Sequence, residues 1–267
     1  MAGKMFGLLV AAITIISAAF FAMHTWWLPP DISTLGHGVD HQLNETMIGT
    51  GLLFVAGQLV LALFVWMYGN KNDNRKIKFF PGGGAGMVTF ACVIVGIEIL
   101  VLTFVGSKVW ASIYIDPAPA DSMHIDVTAE QFAFYFRYPG PDGQFGVVHP
   151  ELANDGNGNF FGLDPANDVA ARDDIIAGTL MVPVNRPILL TMHSKDMIHS
   201  FYVPELRLQQ DIVPGLTIPI HFTATKEGKY EIVCTQLCGL GHYSMRAFLQ
   251  VVSQSDFDQW LKTQSGD

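Results

Sequence analysis

Cys234–Met245 reads CTQLCGLGHYSM and packs two thiols, an imidazole and a thioether into one short stretch. YEIV precedes it and MRAFLQVV follows it, both with the composition of strands, so the sulfurs come from a loop joining two strands at one end of a β domain. A disulfide is open to Cys234 and Cys238 in an oxidising compartment, but it leaves His242 and Met245 without a role. Zinc accepts thiolate and imidazole but not thioether, and its structural loops usually repeat their knuckle. Copper uses the whole set. A mononuclear blue site takes one Cys, two His and a weak axial Met and has no place for a second thiol. Two thiolates can instead bridge two copper ions, each of which then needs one imidazole and a weak axial donor. The loop supplies one of each, so another His is required. His199, in HSFYVPELRLQQD, is the best source, because an aromatic pair and a proline follow it and hold its loop rigid. His124, His149, His193 and His221 are alternatives on count alone; His193 and His221 lie in strand-like runs, where a packed or surface histidine is the ordinary reading.

Around this loop the chain reads as all-β. MHIDVTAEQFAFYFRYPG alternates apolar and polar residues, TLMVPVNRPILLTMHS gives two extended runs, and PIHFTATKEGKYEIVC reads as a hairpin turning at Lys226–Lys229. A closing helix is signalled by Ser255 and Asp258 as cap and third residue, with Phe257, Trp260 and Leu261 as its apolar side. Between the strands lies a Gly, Asn and Asp-rich insert, Pro139 to Asp174. Its DGNGNF lacks the glycine and the final Glu of a calcium loop, so it reads as surface.

The sequence is 267 residues long, 50% hydrophobic and of mean hydropathy +0.32, too apolar for an ordinary soluble protein. Three stretches, Met5–Met23, Met47–Tyr68 and Gly84–Gly106, approach or exceed the roughly 18 to 20 residues a membrane helix needs. GNKNDNRKIKFF between the last two carries Lys71, Arg75, Lys76 and Lys78, whereas His24 to Thr46 has no Lys or Arg. The basic loop is therefore cytoplasmic, and everything after about Ala111 is delivered to the outer side. The expected organisation is a transmembrane helix (or a secretory leader) over 1–24, an outer loop over 25–46, a helical hairpin over 47–110 with its cytoplasmic loop near 70–80, and an extracytoplasmic domain over 111–267. Trp26 and Trp27 read as interfacial anchors. Glu98 sits deep in the third span, where an ionisable group is costly and expects a protein neighbour. From Asp116 onward, 19 Asp and Glu stand against 9 Lys and Arg, which excludes a nucleic-acid partner and suits a basic protein one.

HSFYVPELRLQQDIVPG joined to CTQLCGLGHYSM resembles subunit II of the haem–copper cytochrome c oxidases, over the last two helices and nearly all of the outer domain. The resemblance implies a cupredoxin-like sandwich with a binuclear CuA centre: Cys234 and Cys238 bridging, His199 and His242 each binding one copper, Met245 axial to one and the Gln236 backbone carbonyl to the other. It implies an electron-input subunit in a bacterial-type inner membrane, with its copper domain periplasmic, that takes single electrons from cytochrome c or an equivalent c-haem donor. These pass to haem in subunit I, where dioxygen is reduced to water; subunit III is a further partner. The same site on a nitric oxide reductase is one alternative, and a membrane-anchored copper-binding or metallochaperone protein another. Three departures stand out. Gln236 replaces a Glu that reaches magnesium or manganese at the subunit interface, and a neutral amide is a weaker ligand for a hard dication. QFAF replaces a tryptophan-rich stretch, so Phe132 and Phe134 occupy the donor's electron-entry positions, with Tyr202 or Tyr243 as other routes. The start of the last helix has no acid for a proton channel. Asp196 and Asp211 match acids beside the copper loop that face the donor, and without C-x-x-C-H the sequence binds no c-type haem of its own.

Overall fold

The computed structural model describes residues 2–23, 28–69 and 83–265. Trp26, Trp27 and the basic loop lie outside them. Among the described residues, three helices are long and apolar enough to cross a membrane. These are α1 (Ala2–Ala22), α2 (Gly36–Tyr68) and a third running from Ala85 to Tyr114, in which α3 (Ala85–Val101) passes through a π-helical turn (Leu102–Gly106) into α4 (Ser107–Tyr114). α1 meets α2 at Gly7, where a Cβ would stand 2.7 Å from the Ala62 carbonyl oxygen, so only glycine allows the approach.

α2 starts well inside the segment that hydropathy assigns to an outer loop. The cause is local: Ser33 Oγ accepts the Leu35 and Gly36 amides at 3.0 and 3.1 Å, and Asp31 Oδ1 accepts the Ser33 amide at 2.9 Å. These side chains satisfy the orphan donors of a helix start, and the polar residues His37 to Glu45 then extend the apolar span.

The second compact unit comprises Leu28–Val39 and Val109–Asp267. Its strands are β1 (Met123–Glu130), β2 (Ala133–Tyr138), β3 (Ile175–Ala177), β4 (Thr179–Pro183), β5 (Pro187–Ser194), β6 (His199–Val203), β7 (Leu208–Ile212), β8 (Ile218–Thr223), β9 (Gly228–Val233) and β10 (Arg246–Val252). They form two five-stranded sheets, β3-β2-β1-β5-β8 and β4-β10-β9-β6-β7. β1 with β5 and β10 with β4 are parallel; the other pairs are antiparallel. The period of two is plain in the core. Ile125, Val127 and Ala129, then Phe134, Phe136 and Tyr138, then Ile188, Leu190 and Met192 are buried from one sheet. Leu180 and Val182, Phe201 and Val203, and Ala247, Leu249 and Val251 are buried from the other.

Three details differ from the sequence reading. MHIDVTAEQFAFYFRYPG is two strands folded back at Gln131-Phe132. β8 and β9 are not a hairpin, because β8 pairs with β5 and β9 with β10, so the chain crosses between sheets at Lys226. The closing helix α5 (Gln254–Ser265) is capped by Ser253, whose Oγ accepts the Asp256 amide at 3.1 Å. S-x-x-D occurs in both frames, and the frame that buries Phe257 wins.

The segment before α2 is strapped to the sheets. The Ile32 amide donates to Glu205 O at 3.0 Å, the Thr225 amide to Ile32 O at 2.7 Å, and Lys226 Nζ to Asp31 O at 2.7 Å. The insert is pinned from below by buried Arg137, which pairs with Asp126 and Asp174 and donates to Gly146 O at 2.9 Å. Asp174 in turn accepts the Gly146 amide at 3.0 Å, and burial pushes its carboxyl above the ordinary range.

β4 is an edge strand, and one side chain closes its open side. Tyr138 Oη accepts the Met181 amide at 2.7 Å and donates to Met181 O at 2.9 Å, while its ring meets Trp260 edge-on at 5.0 Å. Burial holds this phenol well above the ordinary tyrosine range, so it stays a donor. Tyr138→Phe leaves both Met181 groups buried and unpaired and is expected to cost about 1–3 kcal/mol. Denaturant unfolding of the full chain in detergent measures the loss. Amide hydrogen exchange should accelerate at Met181 and not in the β1–β5 ladder; a uniform acceleration would contradict the local assignment.

Candidate metal centre

The β6–β9 register brings the two ligand segments together. Tyr202 pairs with Val233 in antiparallel sense, so the residues after Val233 run back alongside those before Tyr202, toward His199. The loop neck is closed by the Cys234 amide on Met245 O at 3.2 Å, next to the Val233–Arg246 pair that begins the β9–β10 ladder. A single 3₁₀ turn, His242–Ser244, aims the imidazole back at the thiols.

Both thiols are free and buried, and their sulfurs lie 3.9 Å apart, too far for a disulfide and close enough to share a metal. Around them stand the remaining donors. Gln236 O is 3.2 Å from Cys234 Sγ; His242 Nδ1 is 3.5 Å and Met245 Sδ 3.6 Å from Cys238 Sγ. Ligand atoms of His199, Cys234 and Cys238 all lie within 4.8 Å of one another. His199 is fully buried, and its Nε2 is engaged by Asp196 Oδ1 at 2.7 Å, whereas Nδ1 has no hydrogen-bond partner. A buried ring nitrogen without a partner is costly, and a metal ion is the natural group to receive its lone pair. The donor set of two thiols, two imidazoles, a thioether and a carbonyl fits a soft metal such as copper.

The electrostatics agree. Burial, and then the neighbouring Cys234, pushes the Cys238 thiol up to about 11, so the thiolate needs a cation in place of its proton. Burial works against the Asp196 charge, but the hydrogen bonds from His199 and from the Gln131 and Met197 amides outweigh it and hold this carboxyl below the ordinary range. Asp196 therefore stays an acceptor, which keeps the His199 proton on Nε2.

Other residues named from the sequence fall into two groups. Asp196 and Asp211, assigned there to the donor's docking face, are both engaged by the site: Asp196 as above, and Asp211 through Oδ2, which accepts Gln236 Nε2 at 2.7 Å. Phe132 packs on the ligand loop, where a Cβ at Gly239 would stand 3.2 Å from its ring; Gly239 also has φ +130°, open only to glycine. Phe134 is core, edge-on to Phe201 at 6.4 Å. Tyr202 is half-buried and Tyr243 is 91% exposed. His124, His149 and His221 point elsewhere, to Thr191, Glu151 and Asp116 O.

One contributor was missed. Gln131, at the β1–β2 turn, donates from Nε2 to Cys238 O at 2.5 Å and to Met197 Sδ at 3.2 Å, and its amide donates to Asp196 Oδ2 at 2.8 Å. It ties together both ligand segments from a third. Its signal was the Q of QFAF, read only for the aromatics beside it.

Comparison with known proteins identifies the lineage. Residues 167–252 match the family described as cytochrome C oxidase subunit II, periplasmic domain. The alternative cytochrome c oxidase subunit 2 of Bradyrhizobium diazoefficiens is 30% identical over 267 residues, spanning 96% of this chain and 91% of that one. Cytochrome c oxidase subunit 2 of Thermostichus vulcanus is 43% identical over 88 residues, 33% of this chain and 27% of that one. Among solved structures, the periplasmic domain of subunit II of the Bradyrhizobium japonicum cytochrome oxidase is similar at 24% identity and TM-score 0.42, covering 56% of this chain and 98% of that one. With one relative similar at this level along nearly the whole of both chains, the protein belongs to the cytochrome c oxidase subunit II family.

Proposed function

We infer that this chain is the electron-input subunit of a respiratory cytochrome c oxidase. On this reading its β domain holds a binuclear CuA centre, takes single electrons from a c-type cytochrome on the outer side, and passes them to haem in the catalytic subunit. The observation that carries the reading is the pair of free buried thiols 3.9 Å apart with an unpartnered His199 Nδ1 beside them. Cys234 and Cys238 would hold the metal through their sulfurs, His199 and His242 would each give a ring nitrogen, and Met245 Sδ and Gln236 O would be the weak donors. When bound, the copper pair supplies reversible one-electron chemistry.

The protein's part is rigidity and dryness. Asp196 fixes the orientation and proton of His199, Gln131 holds the Cys238 carbonyl, and the strand ends hold both segments, so the donors have little freedom to rearrange when charge changes. Burial of His199, Cys234, Cys238 and Met245 keeps bulk water from the sulfurs. The loop tip is the opposite: Leu237, Leu240 and Tyr243 are 81%, 97% and 91% exposed, an apolar crown suited to a partner. The net negative charge of the segment from Asp116 onward suits a basic cytochrome, drawn in by long-range attraction.

The decisive test is copper content with an electron paramagnetic resonance spectrum on the purified full chain. A copper pair per chain, with the unpaired electron shared over both nuclei, is expected, and Cys238→Ser should abolish the sharing. A spectrum confined to a single nucleus in the unaltered chain would sink the assignment. A second outcome follows from Asp196. Replacing it with alanine frees the His199 ring and should weaken copper retention about 10–100-fold in chelator competition, as loss of such supporting groups does. The metal-free protein should also lose some stability, because the Gln131 and Met197 amides and the buried His199 Nε2 lose their acceptor; copper retention should fall further than that loss accounts for, and a fall no larger would make Asp196 a fold residue instead.

A further inference from the structure

The helices carry a polar feature that the copper reading does not use. α2 and the α3–α4 helix run antiparallel in steady register: a Cβ on Gly38 would meet Val109 at 3.4 Å, one on Gly106 would meet Gln42 Oε1 at 3.5 Å, and one on Gly49 would meet Glu98 Oε2 at 3.5 Å. Along this seam Glu98, Gly49, Thr46, Gln42 and Gly106 follow one another, from the apolar part of the two helices into the polar first turns of α2. Thr46 Oγ1 donates to Gln42 O at 2.9 Å and Thr50 Oγ1 to Thr46 O at 2.7 Å, which leaves both hydroxyl oxygens as acceptors.

Gln42 is the anomaly. Both its amide atoms, Nε2 and Oε1, are buried and without a hydrogen-bond partner among the described residues. Buried between two helices, an unpaired amide is costly, and a partner is expected for it. Glu98 is too far to be that partner, since roughly 10 Å separates Gln42 from Gly49 at 1.5 Å per residue. Water fits: the site is polar, and the glycines at 49 and 106 leave room that side chains would fill. The π-helical turn Leu102–Gly106 lies on the same stretch and loosens the backbone ladder there, as such turns often do at functional positions.

The direction of the seam is set by charge. The charged and histidine side chains of α2 are His37, Asp40, His41 and Glu45, all before Gly49, and past Glu98 the other helix has Lys108. In the opposite direction the two helices have only Cys92 and Tyr68 as titratable groups, and α1 has Lys4, over the Trp66 ring at 5.2 Å. The polar end is the one whose first residues, up to Val39, belong to the same compact unit as the β domain.

We propose that the α2–α3 seam is a hydrated half-channel through which Glu98 exchanges its proton with the outer aqueous side. The Glu98 O–H passes its proton to a seam water, the chain relays a proton past Thr46 and Gln42 to the outer solution, and the return reverses each transfer; no electron moves. Nothing in this depends on which metal the β domain holds.

Infrared spectroscopy of the full chain in phospholipid vesicles tests it. The carbonyl band of the protonated Glu98 carboxyl is the one that Glu98→Gln removes. It should shift within the mixing time when the medium is changed to heavy water. Gln42→Met and Gly49→Ala, which dry or fill the seam, should each remove that fast phase; a Cβ at Gly49 fits at ordinary contact distance, so the amide bands in the same spectra should remain helical. A band that shifts only slowly in the unaltered chain means a dry seam. Equal fast exchange in both folded variants means another route, and no band removed by Glu98→Gln at any pH means Glu98 is never protonated. Each of those three results overturns the proposal.

Discussion

Two thiols buried 3.9 Å apart set the terms for the whole outer end of the β domain. Cys238 cannot ionise cheaply without a cation, because burial and the neighbouring Cys234 both resist it. Every neighbouring group therefore has to be a good donor to a metal, or hold one in place, and the strands are cut to that need. β6 begins at His199 and β9 ends at Val233, so the sheet stops where the ligands start. Asp196 holds His199, Gln131 holds the Cys238 carbonyl, and Gly239 admits Phe132 against the loop.

The chain solves two different burial problems. In the β domain, alternation sends every second residue into a core between sheets, and the buried Arg137 charge is paired with Asp126 and Asp174. The long helices are apolar on nearly all sides, which is the pattern of segments solvated by lipid and neighbouring protein. A polar side chain there has no aqueous default, so Glu98 and Gln42 carry more information than any surface carboxylate of the outer domain.

The ligand loop was legible because metal chemistry is local: four donors within one short loop constrain the ion before any fold is known. His199 was legible for a weaker reason, its rigid setting, and the strand register supplies the proof of proximity that spacing could not. The alternating strands were legible too, but their partners were not. Lys226 to Lys229 looks like a hairpin turn whether the chain turns within a sheet or crosses to the other, since the turn chemistry is the same. The start of α2 escaped because hydropathy sees the membrane and not the cap, and Ser33 makes a helix from polar residues. Gln131 escaped because its partner, the Cys238 carbonyl, is remote in sequence, and a lone glutamine gives no sign of which carbonyl it will meet.

Gln236 resolves one of the departures by its contact. Its carbonyl faces Cys234, and its side-chain amide donates to Asp211 Oδ2 at 2.7 Å. A glutamate in its place would bring two carboxylates into contact at the edge of the loop, an arrangement that needs a shared proton or a cation between them. The amide removes that need, because one N–H satisfies the acid directly and adds no charge. It also ties the backbone that carries the carbonyl to β7. A neutral residue here is thus self-consistent with Asp211 across the sheet, and the pair is complete without any further ion.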